Sequence, residues 1–304
     1  MADPNGSRAL AGTQRTLARL LSKVEGGQKV TDLGLAEPGR GTARVIGLTG
    51  APGVGKSTVT GALITQYRAA GRRVGVLAID PSSPFTGGAL LGDRIRMQRH
   101  ATDEGVFIRS MASRGHLGGL AAATPQAVRV LDGSGFEVII IETVGVGQAE
   151  VEIASQANSV IVLLAPGMGD AIQAAKAGIL EVGDLFVVNK ADKPDVQPVV
   201  RDLRSMLALG SWGTGWKPPI LTTIGSDGTG VAEVVASLDA HWEWLNTSGE
   251  LARRRLARAR SEIVALAMGT LRDRLSGRDV DGLAARVADG ELSPFAAADE
   301  LLHD

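Results

Sequence analysis

The chain contains no cysteine among its 304 residues. Disulfides, thiolate metal sites and cysteine nucleophiles are therefore excluded, and the composition fits a reducing compartment. The chain also has little net charge, because 32 lysines and arginines nearly balance 33 aspartates and glutamates. Such a protein has no diffuse field to hold a polyanion, so neither nucleic acid nor an anionic membrane is an expected partner.

Long hydrophobic runs and a secretory signal are also missing. The amino terminus, Met1–Ser7, lacks a basic start followed by an apolar stretch. The longest apolar runs, such as Ser159–Pro166, fall far short of the roughly 20 residues that a membrane-spanning helix needs. Hydrophobic residues still make up 44% of the chain, which is enough for a sizeable core. We expect a soluble cytoplasmic protein that folds without disulfides.

Short β-branched runs alternate with helical stretches through the middle of the chain. Continuous apolar runs of this length are typical of strands in a parallel sheet whose two faces are both covered by crossover helices. The pattern predicts an α/β fold with a doubly wound, mostly parallel sheet over residues 44–245. The predicted strands are Arg44–Thr49, Val74–Ile79, Val138–Ile141, Val160–Leu164, Leu185–Val188 and Ile220–Thr223.

Helical patterns flank this predicted domain on both sides. An amphipathic helix over Leu10–Glu25 lies within segment 1–43 and ends at a glycine pair. Beyond residue 245 apolar residues recur at helical spacing, and Ser293–Pro294 is a typical cap and first position of a last helix. We therefore predict an all-helical extension over residues 246–304. The basic run Arg253–Arg260 is interpreted as a solvated helix face.

A phosphate-binding loop is predicted by the string Gly50-Ala-Pro-Gly-Val-Gly-Lys-Ser57, which has the spacing G-x-x-x-x-G-K-[ST] and precedes a predicted helix over Thr58–Ala70. Its glycines let backbone N–H groups wrap a phosphate chain, and the helix N-terminus adds a favourable dipole. Lys56 is expected to reach the terminal phosphates and the Ser57 hydroxyl to bind magnesium. The predicted nucleotide-binding residues of this loop are Gly50, Ala51, Pro52, Gly53, Val54, Gly55, Lys56, Ser57 and Thr58.

The base of the bound nucleotide is predicted by a second motif, Asn189-Lys190-Ala191-Asp192. It fits N-K-x-D and directly follows the predicted strand Leu185–Val188. A loop at the carboxyl end of a parallel strand can reach a ligand. The Asp192 carboxylate only accepts hydrogen bonds, so it can accept from both the ring N–H and the exocyclic amine of guanine. Adenine offers a mismatched edge and would leave polar groups unpaired. The sequence therefore predicts a guanine nucleotide.

Two acidic residues follow other predicted strands, Asp80 after Val74–Ile79 and Glu142 after Val138–Ile141. A nucleotide–magnesium complex needs a carboxylate at that depth to hold the ion or its waters, and a strand-end cap is the alternative for either acid. The segment Glu142–Gly145 also resembles the D-x-x-G switch of other GTPases with glutamate in place of aspartate. Gly145 would then contact the γ-phosphate through its N–H.

The usual water-positioning glutamine is displaced in this chain. In Ras-like proteins it directly follows the switch glycine, but here Val146 follows and Gln148 comes two residues later. The predicted catalytic residues are Lys56, Glu142 and Gln148, and hydrolysis by the protein alone is expected to be slow. A partner is expected to complete the site. Unranked candidates for charge stabilisation in the loop-rich stretch before Glu142 are Arg94, Arg96, Arg99, Arg109 and Arg114.

Several strings in the same order resemble the MeaB/ArgK-type GTPases associated with methylmalonyl-CoA mutase, over roughly residues 10–302. This resemblance implies a P-loop NTPase fold that hydrolyses GTP to GDP and phosphate with Mg2+. It also implies that Ser57, Asp80, Asp93 and Glu142 surround the ion. The strings are Gly50–Ser57, Asp80–Gly88, Leu91–Arg94, Glu142–Gln148, Pro166–Asp170, Asn189–Asp192 and Gly290–Pro294.

The resemblance also implies a role and partners. Asp170, Gln173 and Lys176 would lie in a mobile loop that couples nucleotide state to an adenosylcobalamin-dependent methylmalonyl-CoA mutase or a sister acyl-CoA mutase. Family members form homodimers through the helical C-terminal region, load the cofactor into the mutase, and protect or rescue the enzyme. One departure concerns the guanine-binding residues: Thr223, Ile224 and Gly225 stand where the family usually has Thr-Ser-Ala. A backbone contact to guanine can survive that change.

Three other functions are weighed against this one. A nickel metallochaperone GTPase would need cysteine and histidine clusters, but the chain has no cysteine and its four histidines are scattered. A kinase for a transport protein would need a base for the substrate hydroxyl, and no acid remains beyond those assigned to magnesium. The intact lysine, serine and acids argue against a structural protein with a vestigial site.

Overall fold

The six predicted strands all form, and a seventh joins them in a parallel sheet. A computed structural model of the protein describes residues 14–28, 42–80, 100, 102–112, 123–143, 149–167, 180–209, 215–275 and 277–303. The strands are β1 (Arg44–Thr49), β2 (Val74–Asp80), β3 (Val106–Ala112), β4 (Val138–Thr143), β5 (Ser159–Leu164), β6 (Leu185–Asn189) and β7 (Ile220–Thr223). Their order across the sheet is β3-β2-β4-β1-β5-β6-β7, and every neighbouring pair is parallel.

Helices cover both faces of the sheet, as the continuous apolar strands predict. In chain order, the helices of the described ranges are α1 (Gln14–Glu25), α2 (Lys56–Ala69), α3 (Thr124–Gly133), α4 (Ala149–Gln156), the single turn α5 (Leu180–Val182), α6 (Val196–Leu209), α7 (Val231–Thr247), α8 (Glu250–Leu275), α9 (Val280–Ala288) and α10 (Pro294–His303). One core layer packs α1, α3, α4 and α6 on the sheet, and the other packs α2 and α7. The doubly wound α/β prediction is therefore confirmed.

Strand β3 is absent from the predicted strands, because its segment was interpreted as loop-rich. Arg109 and Ser110 interrupt its apolar run, yet β3 pairs with β2 along its whole length, from Val106 opposite Val74 onward. The Arg109 guanidinium lies on α1, where it donates to Ala18 O at 3.1 Å and pairs with Glu25. That prediction of a loop was wrong, and Arg109 holds α1 to the sheet rather than facing the nucleotide loop. The other four candidate arginines lie outside the described residues.

The described residues of the predicted site lie at the carboxyl ends of the strands. The central strand β1 lies between β4 and β5, so the loop after β1 emerges beside the end of β4. Strands β2 and β4 run one and two residues longer than predicted, because parallel pairing continues to Asp80 opposite Ala112 of β3 and to Thr143 opposite Ile79 of β2. Asp80 and Glu142 are therefore strand residues. In open parallel sheets, ligands bind at this edge, where the strand order reverses.

Two compact units make up the chain, Met1–Arg254 and Arg255–Asp304. In the second unit α9 begins at an aspartate cap, in which Asp279 accepts a hydrogen bond from Gly282 N at 2.8 Å. Arg286 of α9 pairs with Glu300 of α10 at 2.7 Å. Within the described ranges, no helix is both long and apolar enough to cross a membrane.

Candidate nucleotide site

The loop between β1 and α2 adopts a conformation that its glycines make possible. Gly50 and Gly55 have φ angles of 144° and 99°, values that L side chains rarely adopt. A Cβ on Gly50 would lie 2.1 Å from Leu163 O, and one on Gly55 would lie 2.4 Å from Asn189 Nδ2. Glycine at the N-cap of α2 also brings no side chain into the space in front of the helix. The loop therefore presents backbone and a helix N-terminus, the arrangement that binds phosphate.

Lys56, the first residue of α2, folds its side chain back over the loop. Its ammonium donates to Gly50 O at 2.7 Å and to Ala51 O at 3.0 Å, and the residue is only 8% exposed. The cation is thus held beside the backbone that would surround a phosphate chain. Val54 lies fully buried beneath the loop, whereas Pro52 and Gly53 are exposed at its tip.

Glu142, Ser57 and Thr60 form a buried cluster at the start of α2. The Ser57 hydroxyl donates to Glu142 Oε1 at 2.7 Å and the Thr60 hydroxyl donates to Oε2 at 2.8 Å. All three residues are at most 5% exposed. Ser57 and Thr60 lie three residues apart on the helix, so both hydroxyls face β4. Thr60 was missed by the sequence analysis, although its helical spacing from Ser57 was a usable signal.

This cluster has the chemistry of a magnesium site. A serine hydroxyl and a carboxylate are hard oxygen donors, which Mg2+ prefers, and they lie side by side next to the phosphate loop. The residues present therefore fit the ion that the sequence predicts. Asp80 ends β2, and its side chain lies outside the described part, as do the predicted ligand Asp93 and all of Gly145, Gln148, Asp170, Gln173 and Lys176.

The N-K-x-D loop is joined to the phosphate loop by Asn189. Its Nδ2 donates to Val54 O at 2.8 Å, and its Oδ1 accepts from Thr223 Oγ1 at 3.1 Å and from Gly225 N at 2.9 Å. Asn189 is 3% exposed, so burial makes these bonds costly to leave unmade. One amide side chain therefore connects the three loops after β1, β6 and β7.

Lys190 and Asp192 complete the base loop. Lys190 has a φ of 60°, the only positive φ of a non-glycine residue in the described chain, and its ammonium donates to Gly53 O at 2.8 Å. The Asp192 side chain is 49% exposed and lies 3.7 Å from the Lys193 ammonium. The carboxylate oxygens are accessible to a ligand that enters from solvent. Asp192 can thus offer two acceptors to a base.

Gly225 explains how the loop after β7 accommodates Thr223-Ile224-Gly225 in place of the sequence Thr-Ser-Ala. A Cβ at Gly225 would lie 2.9 Å from Val59 Cγ2 and 3.3 Å from Asn189 Oδ1. Ile224 donates from its backbone to Thr229 O at 3.0 Å, and Asp227 Oδ1 accepts from Thr229 N at 2.8 Å within the same turn, so the Ile224 side chain is not used. Thr223 is fully buried. The local geometry is therefore set by backbone bonds, by the Asn189 amide that accepts from Gly225 N, and by the absence of a side chain at Gly225.

Known proteins are similar to this chain over most of its length. A "Putative GTPase" of Pyrococcus horikoshii is 44% identical over 302 residues, covering 97% of this chain and 95% of that protein. The mitochondrial "Methylmalonic aciduria type A homolog" of Mus musculus is 34% identical, covering 84% of this chain and 64% of that protein.

A solved structure described as a LAO/AO transport system kinase superposes with a TM-score of 0.70, covering 99% of this chain and 98% of that one. Its sequence identity is 24%, so this likeness supports the P-loop NTPase fold alone. The sequence itself matches the family described as "Methylmalonyl Co-A mutase-associated GTPase MeaB" over residues 17–279. The chain belongs to this family of methylmalonyl-CoA mutase-associated GTPases.

Proposed function

We propose that this GTPase is magnesium-dependent and acts as a chaperone for an adenosylcobalamin-dependent methylmalonyl-CoA mutase or a sister acyl-CoA mutase. It would load, protect or reactivate the cobalamin enzyme. The partner is inferred from family membership, because the family is described by its association with that mutase. The mouse and Caenorhabditis elegans relatives, both named for methylmalonic aciduria type A, support the same assignment.

In this proposal the base loop selects guanine. Asp192 accepts from the ring N–H and the exocyclic amine, two bonds that adenine cannot reproduce. Asn189 does not need to contact the base, since its amide already bonds to Val54, Thr223 and Gly225. Its part is to hold the base loop at a set distance from the phosphate loop.

The phosphate chain would lie in the Gly50–Gly55 loop, with Thr58 in the first turn of the helix behind it. Lys56 would exchange its contacts with two loop carbonyls for contacts with phosphate oxygens, and its charge would offset charge on the transferred group. Ser57 and Glu142 would hold magnesium with Asp80 and Asp93. When bound, the ion neutralises charge that develops on the β- and γ-phosphates.

Slow hydrolysis in the absence of the mutase follows from the displaced glutamine. We propose that Gln148 and the Gly145 N–H become arranged for catalysis only when the partner acts on the segment after Glu142. Asp170, Gln173 and Lys176 would transmit the nucleotide state to that partner. A well-placed group that orients the attacking water or stabilises charge raises the rate by orders of magnitude.

A homodimer is part of the same proposal. Helix α8 has exposed apolar side chains along its length, including Ile263 at 67% and Val264 at 60%. An apolar surface of this kind on a helix commonly marks an interaction site. The second copy would cover these side chains.

The test is GTP hydrolysis by the purified protein with Mg2+, alone and with a cobalamin-dependent acyl-CoA mutase, using ATP as the control nucleotide. We expect a slow, GTP-selective rate that rises when the mutase is added. A Lys56→Ala variant controls for a contaminating hydrolase and should lose the rate under both conditions. GTP-selective hydrolysis that the mutase leaves unchanged would contradict the partner while leaving the GTPase intact.

A further inference from the structure

Thr60 lies on the opposite side of the Glu142 carboxylate from the Ser57 hydroxyl. Its own hydroxyl donates to Oε2 at 2.8 Å, while the Ser57 hydroxyl lies 2.7 Å from Oε1. Thr60 and Glu142 are 0% and 3% exposed, so water cannot readily replace this bond. The carboxylate is thereby fixed in rotation, with one oxygen held by Thr60 and the other facing Ser57.

The geometry points to Thr60 as a positioning residue for magnesium binding, acting through the Glu142 carboxylate. This inference rests on the proposed role of Ser57 and Glu142 at the ion. A free carboxylate rotates about its last bond and can present either oxygen in many directions. A donor on Oε2 removes that freedom. Oε1 would then already lie beside Ser57 before the ion binds, so ion binding would not have to restrict the rotation of the carboxylate.

The length of the acidic side chain fits this role. Glutamate at position 142 has one methylene more than the aspartate of a D-x-x-G switch, so its carboxylate reaches farther along α2. It spans two hydroxyls that lie one helical turn apart, at positions 57 and 60. We therefore infer that glutamate at position 142 needs the Thr60 donor in order to be held as firmly as the shorter aspartate would be. It would not contact the nucleotide or the ion.

The test compares Thr60→Val, Thr60→Ser and Thr65→Val. Valine keeps the shape of threonine but has no hydroxyl to donate to Glu142 Oε2, whereas serine keeps that hydroxyl. Thr65 is the matched control, because its hydroxyl donates to Gly61 O at 3.0 Å on the same helix and it lies five residues, about 7.5 Å of helix rise, beyond Thr60. The first readout is the dissociation rate of a fluorescent GDP analogue, measured with Mg2+ and again with EDTA. The second is the Mg2+ concentration that half-saturates hydrolysis.

We expect Thr60→Val to raise the half-saturating Mg2+ concentration roughly tenfold or more, as for loss of a hydrogen bond to a charged group. GDP release should quicken in Mg2+ and remain unchanged in EDTA. Thr60→Ser and Thr65→Val should behave like the parent. Faster release by Thr60→Val to the same degree in EDTA would show a general packing defect and overturn the inference.

A Ser57→Ala variant separates this inference from the proposed function. If Ser57→Ala changes the Mg2+ dependence and Thr60→Val does not, the proposed ion site holds but Thr60 does not position it. If neither variant changes the Mg2+ dependence, the proposed ion site itself is wrong. Should Thr60→Val unfold below the assay temperature, Thr60→Ala is measured in the same way, with thermal melts of both variants to confirm the folded state.

Discussion

Asp192 is the residue whose substitution should change the choice of base. We predict that Asp192→Asn weakens GTP binding at least tenfold, because an amide replaces one of two acceptor oxygens with a donor. The same amide complements xanthine, which carries a carbonyl where guanine carries an amine, so affinity for xanthosine triphosphate should rise. Competition binding with GTP, xanthosine triphosphate and ATP measures both changes.

Asp195→Asn is the control for this prediction, since Asp195 is another exposed acid three residues along the same loop. It should leave the order of nucleotide preference as it is in the parent protein. Equal losses of GTP affinity in the two variants would mean that general charge near the site, rather than a base contact by Asp192, sets the affinity.

At the scale of elements, the turn from β1 into α2 depends on Gly55. We predict that Gly55→Ala lowers both nucleotide affinity and stability, the latter by about 1–3 kcal/mol, because alanine is strained at φ 99°. Its Cβ would also press on Asn189 Nδ2, which bonds to the carbonyl of Val54. Urea unfolding and fluorescent nucleotide binding measure the two effects.

Gly61→Ala, on α2 itself, is the matched control. Apart from its chain neighbours and the backbone of its own helix, no atom of the described residues lies within 4 Å of a Cβ built at Gly61, and alanine favours a helix interior over glycine. The free energy of unfolding should therefore rise by about 0.5–1 kcal/mol with nucleotide affinity unchanged. If both alanine variants were equally stable, the conformation assigned to Gly55 would be wrong.

A second prediction at the scale of elements concerns α8, whose exposed apolar side chains the proposed dimer would cover. We expect a combined Ile263→Lys and Val264→Lys variant to shift the protein from dimer to monomer, because two charges would have to be desolvated at the interface. Sedimentation velocity measures the shift, and GTP hydrolysis by the variant should persist.

Ala265→Lys is the control on the same helix. Ala265 is exposed and lies about 160° around α8 from Ile263 and about 100° from Val264, so it is turned away from both substituted residues. It should leave the parent's association state unchanged. A parent protein that is monomeric at every concentration would contradict the proposed dimer.

For the whole molecule, stability in acid should be governed in part by a buried histidine. His241 of α7 is 0% exposed, its Nδ1 lies 2.8 Å from Ser159 Oγ, and its Nε2 lies 3.3 Å from Asp184 Oδ1. Arg254 binds the same Asp184 carboxylate through two nitrogens, at 2.8 and 2.9 Å. This cluster joins α7, β5 and the first turn of α8 within the first unit.

The pKa of His241 is lowered from its ordinary value of 6.5 to about 4, mainly by burial; Asp184 and Glu250 oppose this shift, and Arg254 adds to it. Between about pH 6.5 and 4 the unfolded chain therefore binds a proton at this position that the folded protein does not. We predict that stability, at its full value above pH 6.5, falls by about 3 kcal/mol as the pH drops through this window.

Urea unfolding of the parent and of His241→Gln at pH 7 and pH 4.5 tests this prediction. The variant lacks the titrating group, so its stability should depend less steeply on pH, whatever its stability at pH 7. Carboxylates elsewhere titrate in both proteins and cancel in the comparison. Identical pH slopes would show that His241 does not contribute to acid unfolding.

Much of the fold and of the nucleotide site could be predicted because the signals are contiguous. The phosphate loop, the N-K-x-D loop and six of the seven strands are each read from one short run of residues. The exceptions have a common cause. Strand β3 has a polar centre, in which Arg109 pairs with Glu25 on a distant helix, and the helical spacing of Thr60 from Ser57 gains its meaning only from the contact with Glu142.

The sequence by itself determined the class of fold, the phosphate loop, the guanine preference and the family, because these depend on residue types at fixed local spacing. Only the tertiary structure decided that Glu142 meets hydroxyls 85 and 82 residues away, and that Asn189 joins a carbonyl 135 residues away. Which side chains meet across such distances depends on strand order and parallel register, which bring the ends of β1, β4, β6 and β7 to one edge of the sheet.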